Sequence, residues 1–111
     1  MSAITTHVLD TARGRPAAGI PIRLDHFAGH WQPLGTGETD PDGRLRTLLP
    51  DGPLMVGRYR ISFDTAVYWA RLGISGFYPA VDIVFEIAAP NEHYHVPLLL
   101  SPFGYSTYRG S

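Results

Sequence analysis

The chain has 111 residues, 44% of them hydrophobic and 17% charged, which is the size of one domain able to bury roughly two thirds of its unfolded-chain surface. A formal net charge of −1 removes the usual electrostatic basis for binding nucleic acid or an acidic membrane surface. The absence of cysteine excludes disulfides, thiolate nucleophiles and Cys-based metal sites, and the nine basic residues are all arginine, which excludes lysine Schiff-base chemistry.

Taken in chain order, residues 4–10 (ITTHVLD) predict a strand, closed by the turn-rich TARGRPAAG. Residues 20–27 alternate Ile20, Ile22 and Leu24 against Pro21, Arg23 and Asp25, so one face of a second strand points into a core. WQPLGTGET is a weaker strand broken by Pro and Gly. It leads to DPDG, where Pro41 and Gly43 suit a tight turn and predict a hairpin with RLRTLL returning. Residues 58–63 and 80–87 are two more strands. Between them Asp64 is a good N-cap and Gly73 a good residue to end a helix of about two turns, around which Phe63, Tyr68 and Trp69 fill the core. HYHVPLLL and YSTYRGS close the pattern, joined by Ser-Pro-Phe-Gly. Seven or eight short strands and one small helix make an all-β, two-sheet sandwich occupying residues 1–111 as a single domain. No secretory signal and no apolar run of about 20 residues is present, so a soluble cytoplasmic protein is expected, and the thin surface charge hints that another subunit covers part of the surface.

The polar residues offer a short list of chemistry. His93 and His95 are two apart on a strand and therefore share a face. That spacing suits a zinc site with His7 as third ligand, and equally an ordinary pair of partly exposed histidines. His7 shares a strand face with Thr5 and Leu9, while His26 and His30 read as surface loop residues without function. Arg44 directly follows the DPDG turn, where a rigid hairpin can aim its planar fork at a carboxylate or urea-like edge; Arg46 lies on the same face and parity does not separate the two. Gly-x-Ser-x-Gly and phosphate-binding loops are absent.

The segments THVLDTARGRPA (6–17), TDPDGR (39–44), YRISFDTAVYWA (59–70), GFYPAVDIVFEI (76–87) and HYHVPLLLSPFGYSTYRGS (93–111) together resemble the transthyretin-related proteins that act as 5-hydroxyisourate hydrolases in uric acid degradation. VLDTARGRPA, YWARLGIS and LLSPFGYST are similar to transthyretin itself, the hormone carrier, and speak for the fold alone. The hydrolase side of the family is marked by His7, Arg44, His95 and the tail Tyr108 to Ser111, all present here.

The resemblance implies two four-stranded sheets, a homotetramer with a channel where dimers meet, and hydrolytic opening of the six-membered ring of 5-hydroxyisourate to 2-oxo-4-hydroxy-4-carboxy-5-ureidoimidazoline without a cofactor. On this view His7 and His95 activate water, Arg44 clamps the substrate, and Tyr108, Gly110 and Ser111 position water and form the pocket wall. His93 is not among the marked residues, so its replacement is expected to leave most activity. The competing readings are a binding protein like transthyretin, and a zinc hydrolase held by His7, His93 and His95.

Overall fold

The computed structural model describes residues 2–111, which form nine strands and one helix. In chain order these are β1 (Ile4–Asp10), β2 (Arg15–Pro16), β3 (Pro21–Phe27), β4 (Trp31–Glu38), β5 (Arg44–Leu45), β6 (Gly57–Phe63), α1 (Thr65–Leu72), β7 (Val81–Ile87), β8 (Tyr94–Ser101) and β9 (Gly104–Thr107). One sheet runs β2-β1-β8-β9, with β5 beside β2 on the same edge of β1; the other runs β4-β3-β6-β7. The ninth strand is the two-residue β2, which joins the eight that the resemblance implies.

Alternation explains why these strands pack. β1 turns Ile4, Thr6, Val8 and Asp10 inward, each fully buried, and leaves Thr5, His7 and Leu9 on the outer face. β8 buries Tyr94, Val96, Leu98 and Leu100 in the same way, and Ile20, Ile22, Leu24, Tyr59, Ile61 and Phe63 answer from the second sheet. The helix begins where predicted: the Asp64 carboxylate accepts from the Val67 N–H, and Gly73 ends it at φ 66. Phe63, Tyr68 and Trp69 are buried as expected, with the Tyr68 hydroxyl donating to Asp10 Oδ2 at 2.7 Å.

Two expectations are corrected. RLRTLL does not return as the partner of β4. The turn closes, with Asp40 N–H donating to the Arg44 carbonyl (2.9 Å) and the Asp40 carboxylate accepting from the N–H groups of Asp42 and Arg44, but Gly43 then docks on the other sheet. Its carbonyl accepts from Val8 N–H at 2.7 Å, its φ is 76, and a Cβ there would lie 2.4 Å from the Val8 carbonyl oxygen. Only glycine allows that approach. The chain thus crosses between sheets, and Arg44 ends opposite His7 on β1. His26 is not a surface loop residue either; it sits within β3, 7% exposed, against the Tyr59 ring and with Nε2 3.2 Å from the Val56 carbonyl oxygen.

Candidate active site

The outer face of the first sheet collects the polar residues. β1 and β8 run parallel with Thr5 opposite His95 and His7 opposite Pro97, which sets the Thr5 hydroxyl beside the imidazole of His95. Thr5 Oγ1 is 2.9 Å from His95 Nδ1 and 3.0 Å from His93 Nε2, and the two rings lie nearly parallel (18°) with centroids 6.4 Å apart. Parity puts Thr5 on the strand face of His7, but only the register of β1 against β8, which sets it opposite His95, singles it out.

The tail reaches the same place by an interrupted ladder. β9 pairs with β8 from Ser101 to Leu98, skips Pro97, which has no N–H to give, and resumes where Gly110 pairs with His95. Gly110 N–H donates to the His95 carbonyl at 2.8 Å. Arg109 is fixed over the Tyr94 ring (4.4 Å) and to Glu92 (2.9 Å), and Ser111 follows into the site.

A cavity of about 280 Å³ results, lined by Thr5, Thr6, Arg44, Arg46, His93, His95 and Ser111. Neither Arg44 nor Arg46 forms an ion pair among the described residues. His95 is half-buried, and its pKa lies below the ordinary imidazole value: burial is the main cause, followed by electrostatic interaction with the neighbouring His93, Arg44, His7 and Arg46. These surroundings disfavour the cationic ring, and a neutral imidazole can take a proton. A wider concavity, about 760 Å³, lies against the second sheet at Arg23, Ser62, Asp64 and Asp82, with no imidazole in its lining and so no comparable base.

Of the sequence-predicted residues, the fold brings Arg44, His95, Gly110 and Ser111 together. His7 lies alongside, opposite Arg44, with Nε2 donating to the Asp42 carbonyl at 3.0 Å. Tyr108, 59% exposed, is not in the lining of this cavity; it lines a neighbouring one with Ile83, Phe85, Tyr94 and His95, so His95 borders both. The three histidines of the zinc reading do not converge. No group of three or more potential ligands is placed to hold a metal ion among the described residues.

Known proteins share this arrangement of chain. The sequence model of the HIUase/Transthyretin family matches residues 4–110. The 5-hydroxyisourate hydrolase of Mus musculus is 47% identical over 113 residues, covering 99% of this chain and 96% of that protein. That of Caulobacter vibrioides is 44% identical, covering all of both. Among solved structures, Klebsiella pneumoniae 5-hydroxyisourate hydrolase superposes with a TM-score of 0.88 at 36% identity over the whole of both chains. Sea bream transthyretin in complex with thyroxine does so equally well, with a TM-score of 0.88 at 33% identity over 97% of this chain and 94% of that one. The match over nearly the whole sequence, the identity to these relatives and the two-sheet topology agree: this chain belongs to the HIUase/transthyretin family.

Proposed function

We propose that this protein is an enzyme that hydrolyses 5-hydroxyisourate, opening its six-membered ring at an acyl carbon. The observation that carries the proposal is the cavity in which a base-competent His95 meets an Arg44 whose guanidinium forms no ion pair among the described residues. A binding pocket needs neither. The names of the relatives from Mus musculus and Caulobacter vibrioides point to the same activity.

In this reading His95 Nε2 takes a proton from water as its oxygen adds to the acyl carbon. Arg44 holds the urea-like edge by two parallel hydrogen bonds and offsets the charge that develops on the carbonyl oxygen. The carbon–nitrogen bond then breaks, and the proton returns from His95 to the leaving nitrogen. His7 assists from the adjoining strand, and Ser111 positions the water. Gly110 contributes by holding the tail on His95, since its N–H is already donated there. Tyr108 lies outside this cavity in one chain, and we assign it to closing the site within a homotetramer. Every group invoked belongs to the polypeptide.

The test is direct. Purified protein is mixed with the transient product of urate oxidase and the ultraviolet decay of 5-hydroxyisourate is followed. Acceleration over the spontaneous rate, abolished by His95→Ala, is expected. An unchanged decay rate would leave the fold with a binding role instead.

A further inference from the structure

We infer that Thr5 and His93 form a proton relay behind His95: the Thr5 hydroxyl fixes His95 in the tautomer that bares Nε2 and conducts a proton between the two imidazoles. The inference rests on the hydrolase reading above and deepens it by naming two positioning residues.

A hydroxyl carries one hydrogen, so an oxygen between two ring nitrogens at 2.9 and 3.0 Å can donate to only one of them. In the relay it donates to His93 and accepts from His95, which links the tautomers of the two rings. With Nδ1 of His95 committed to Thr5, Nε2 is the nitrogen left to act on a substrate, and it is a base only if Nδ1 carries the hydrogen. The Thr5 hydrogen then points at His93 Nε2. Thr5 is 3% exposed, so water has little access to compete for either bond. With ring centroids 6.4 Å apart, the Thr5 hydroxyl is the hydrogen-bonding group found between the two imidazoles among the described residues.

The surroundings favour moving charge outward. Facing His95 are His93 just before its strand, His7 on β1, Arg44 on β5, Arg46 just beyond it, and Ser111 of the tail; His93, His7, Arg44 and Arg46 all disfavour a cationic ring, in addition to burial. His93, in contrast, is exposed, and it also lines a second cavity of about 290 Å³ with Ser2, Ala3, Gly52, Asn91 and Glu92. It therefore borders both the candidate site and this second cavity, and connects His95 to solvent.

The steps balance without any co-reactant. A water O–H bond breaks as His95 Nε2 gains the proton and the hydroxide oxygen bonds to the acyl carbon. His95 Nδ1–H passes its proton to Thr5 Oγ1, which passes its own to His93 Nε2, leaving His95 neutral with Nε2–H and His93 as imidazolium. When the carbon–nitrogen bond breaks, His95 Nε2–H protonates the leaving nitrogen and the relay runs back.

Four variants and one spectrum test this. Thr5→Val, which keeps the side-chain shape, should lower kcat about 10²-fold, the low end of what a general base supplies, with KM changed less than about two-fold. Thr5→Ser should recover most of that loss. His93→Ala, against the expectation from sequence, should lose about ten-fold in kcat, and adding it to Thr5→Val should cost nothing more, as members of one unit behave. Nitrogen NMR of the wild-type rings should show His95 protonated at Nδ1 and bare at Nε2, and Thr5→Val should mix the tautomers. Thr5→Val at the wild-type kcat, additive losses, or His95 protonated at Nε2 in the resting protein would each overturn the relay. If Thr5→Val does not fold, the exposed His93→Ala and the wild-type spectrum decide. A wild-type protein that leaves 5-hydroxyisourate untouched overturns the hydrolase reading instead, and the ring spectra then judge the relay by themselves.

Discussion

Gly110→Ala adds one methyl group at the point where the tail touches the base, and its effect can be worked out from the structure. The new Cβ would stand 2.7 Å from His95 Cδ2 and 3.3 Å from both His95 Cγ and Pro97 Cγ. Carbon atoms settle at about 3.5–4.0 Å, so ring and tail must separate by roughly 0.8 Å. The ring can turn, loosening its 2.9 Å bond to Thr5, or the tail can lift, giving up the Gly110 N–H bond to the His95 carbonyl. That bond contributes about 1 kcal/mol, and the terminal residues are exposed enough to yield, so the stability loss should stay within about 2 kcal/mol. Catalysis is less tolerant: a misplacement of about 1 Å costs on the order of 10²-fold. Steady-state turnover of 5-hydroxyisourate beside a thermal melt separates the two effects. Gly104→Ala is the control, on β9 just before the tail, since a Cβ there meets only Ser101 Oγ at an ordinary 3.7 Å. Gly110→Ala with wild-type kcat would refute the idea that the tail holds His95 in working position.

The acid limb of kcat/KM should fall below pH 6.5: His95 must be neutral to act, its folded pKa is depressed mainly by burial, and activity therefore persists as pH drops through the ordinary imidazole value and is lost only beneath it. A limb at or above that value contradicts the burial of the base. Tyr68→Phe removes a hydrogen bond to the fully buried Asp10, whose Oδ1 also accepts from Ala12 and Arg13 N–H; urea unfolding should register a loss of about 1–3 kcal/mol with kcat unchanged. Deleting Arg109 to Ser111 should leave a folded protein whose turnover falls steeply, because Ser111, which lines the cavity, and Gly110, which ties the tail to His95, go with it; full activity would make the tail a strand end only. Light scattering should give a mass four times the 12.2 kDa of the chain, and a stable mass near that of one chain would remove the homotetramer and the part assigned to Tyr108.

Local periodicity made the faces of the strands legible. Ile20, Ile22 and Leu24 alternate and are buried, and Asp64 and Gly73 bracket the helix as their capping chemistry requires. Period two cannot say which sheet a strand joins, and RLRTLL accordingly pairs with β1 and not with β4. The turn chemistry of DPDG is correct in itself, yet the partner is decided by the contact between Gly43 and Val8, 35 residues apart in sequence. Likewise, parity allows His7, His95 and Tyr108 on one face. It does not foresee that Pro97, lacking an N–H, breaks the ladder between Thr107 and Gly110 just where Tyr108 would sit.

The same distinction explains why the site was half visible. His7, His95 and Arg44 stand out as residue types, whereas Thr5 gains meaning only from register. The parallel pairing sets Thr5 against His95; a slip of two residues would preserve every buried face and the whole hydrophobic pattern while bringing His7 opposite His95 and carrying Thr5 away from it. Burial alone therefore does not fix the relay. What fixes it is a set of specific bonds at the ends of β1 and β8, among them Tyr94 N–H to the Ala3 carbonyl at 2.8 Å and the Thr6 hydroxyl to the Val96 carbonyl at 2.6 Å, which hold the two strands in the one register that places a hydroxyl between two imidazoles. The inward-facing Thr6 thus sets the alignment on which the outward-facing Thr5 depends.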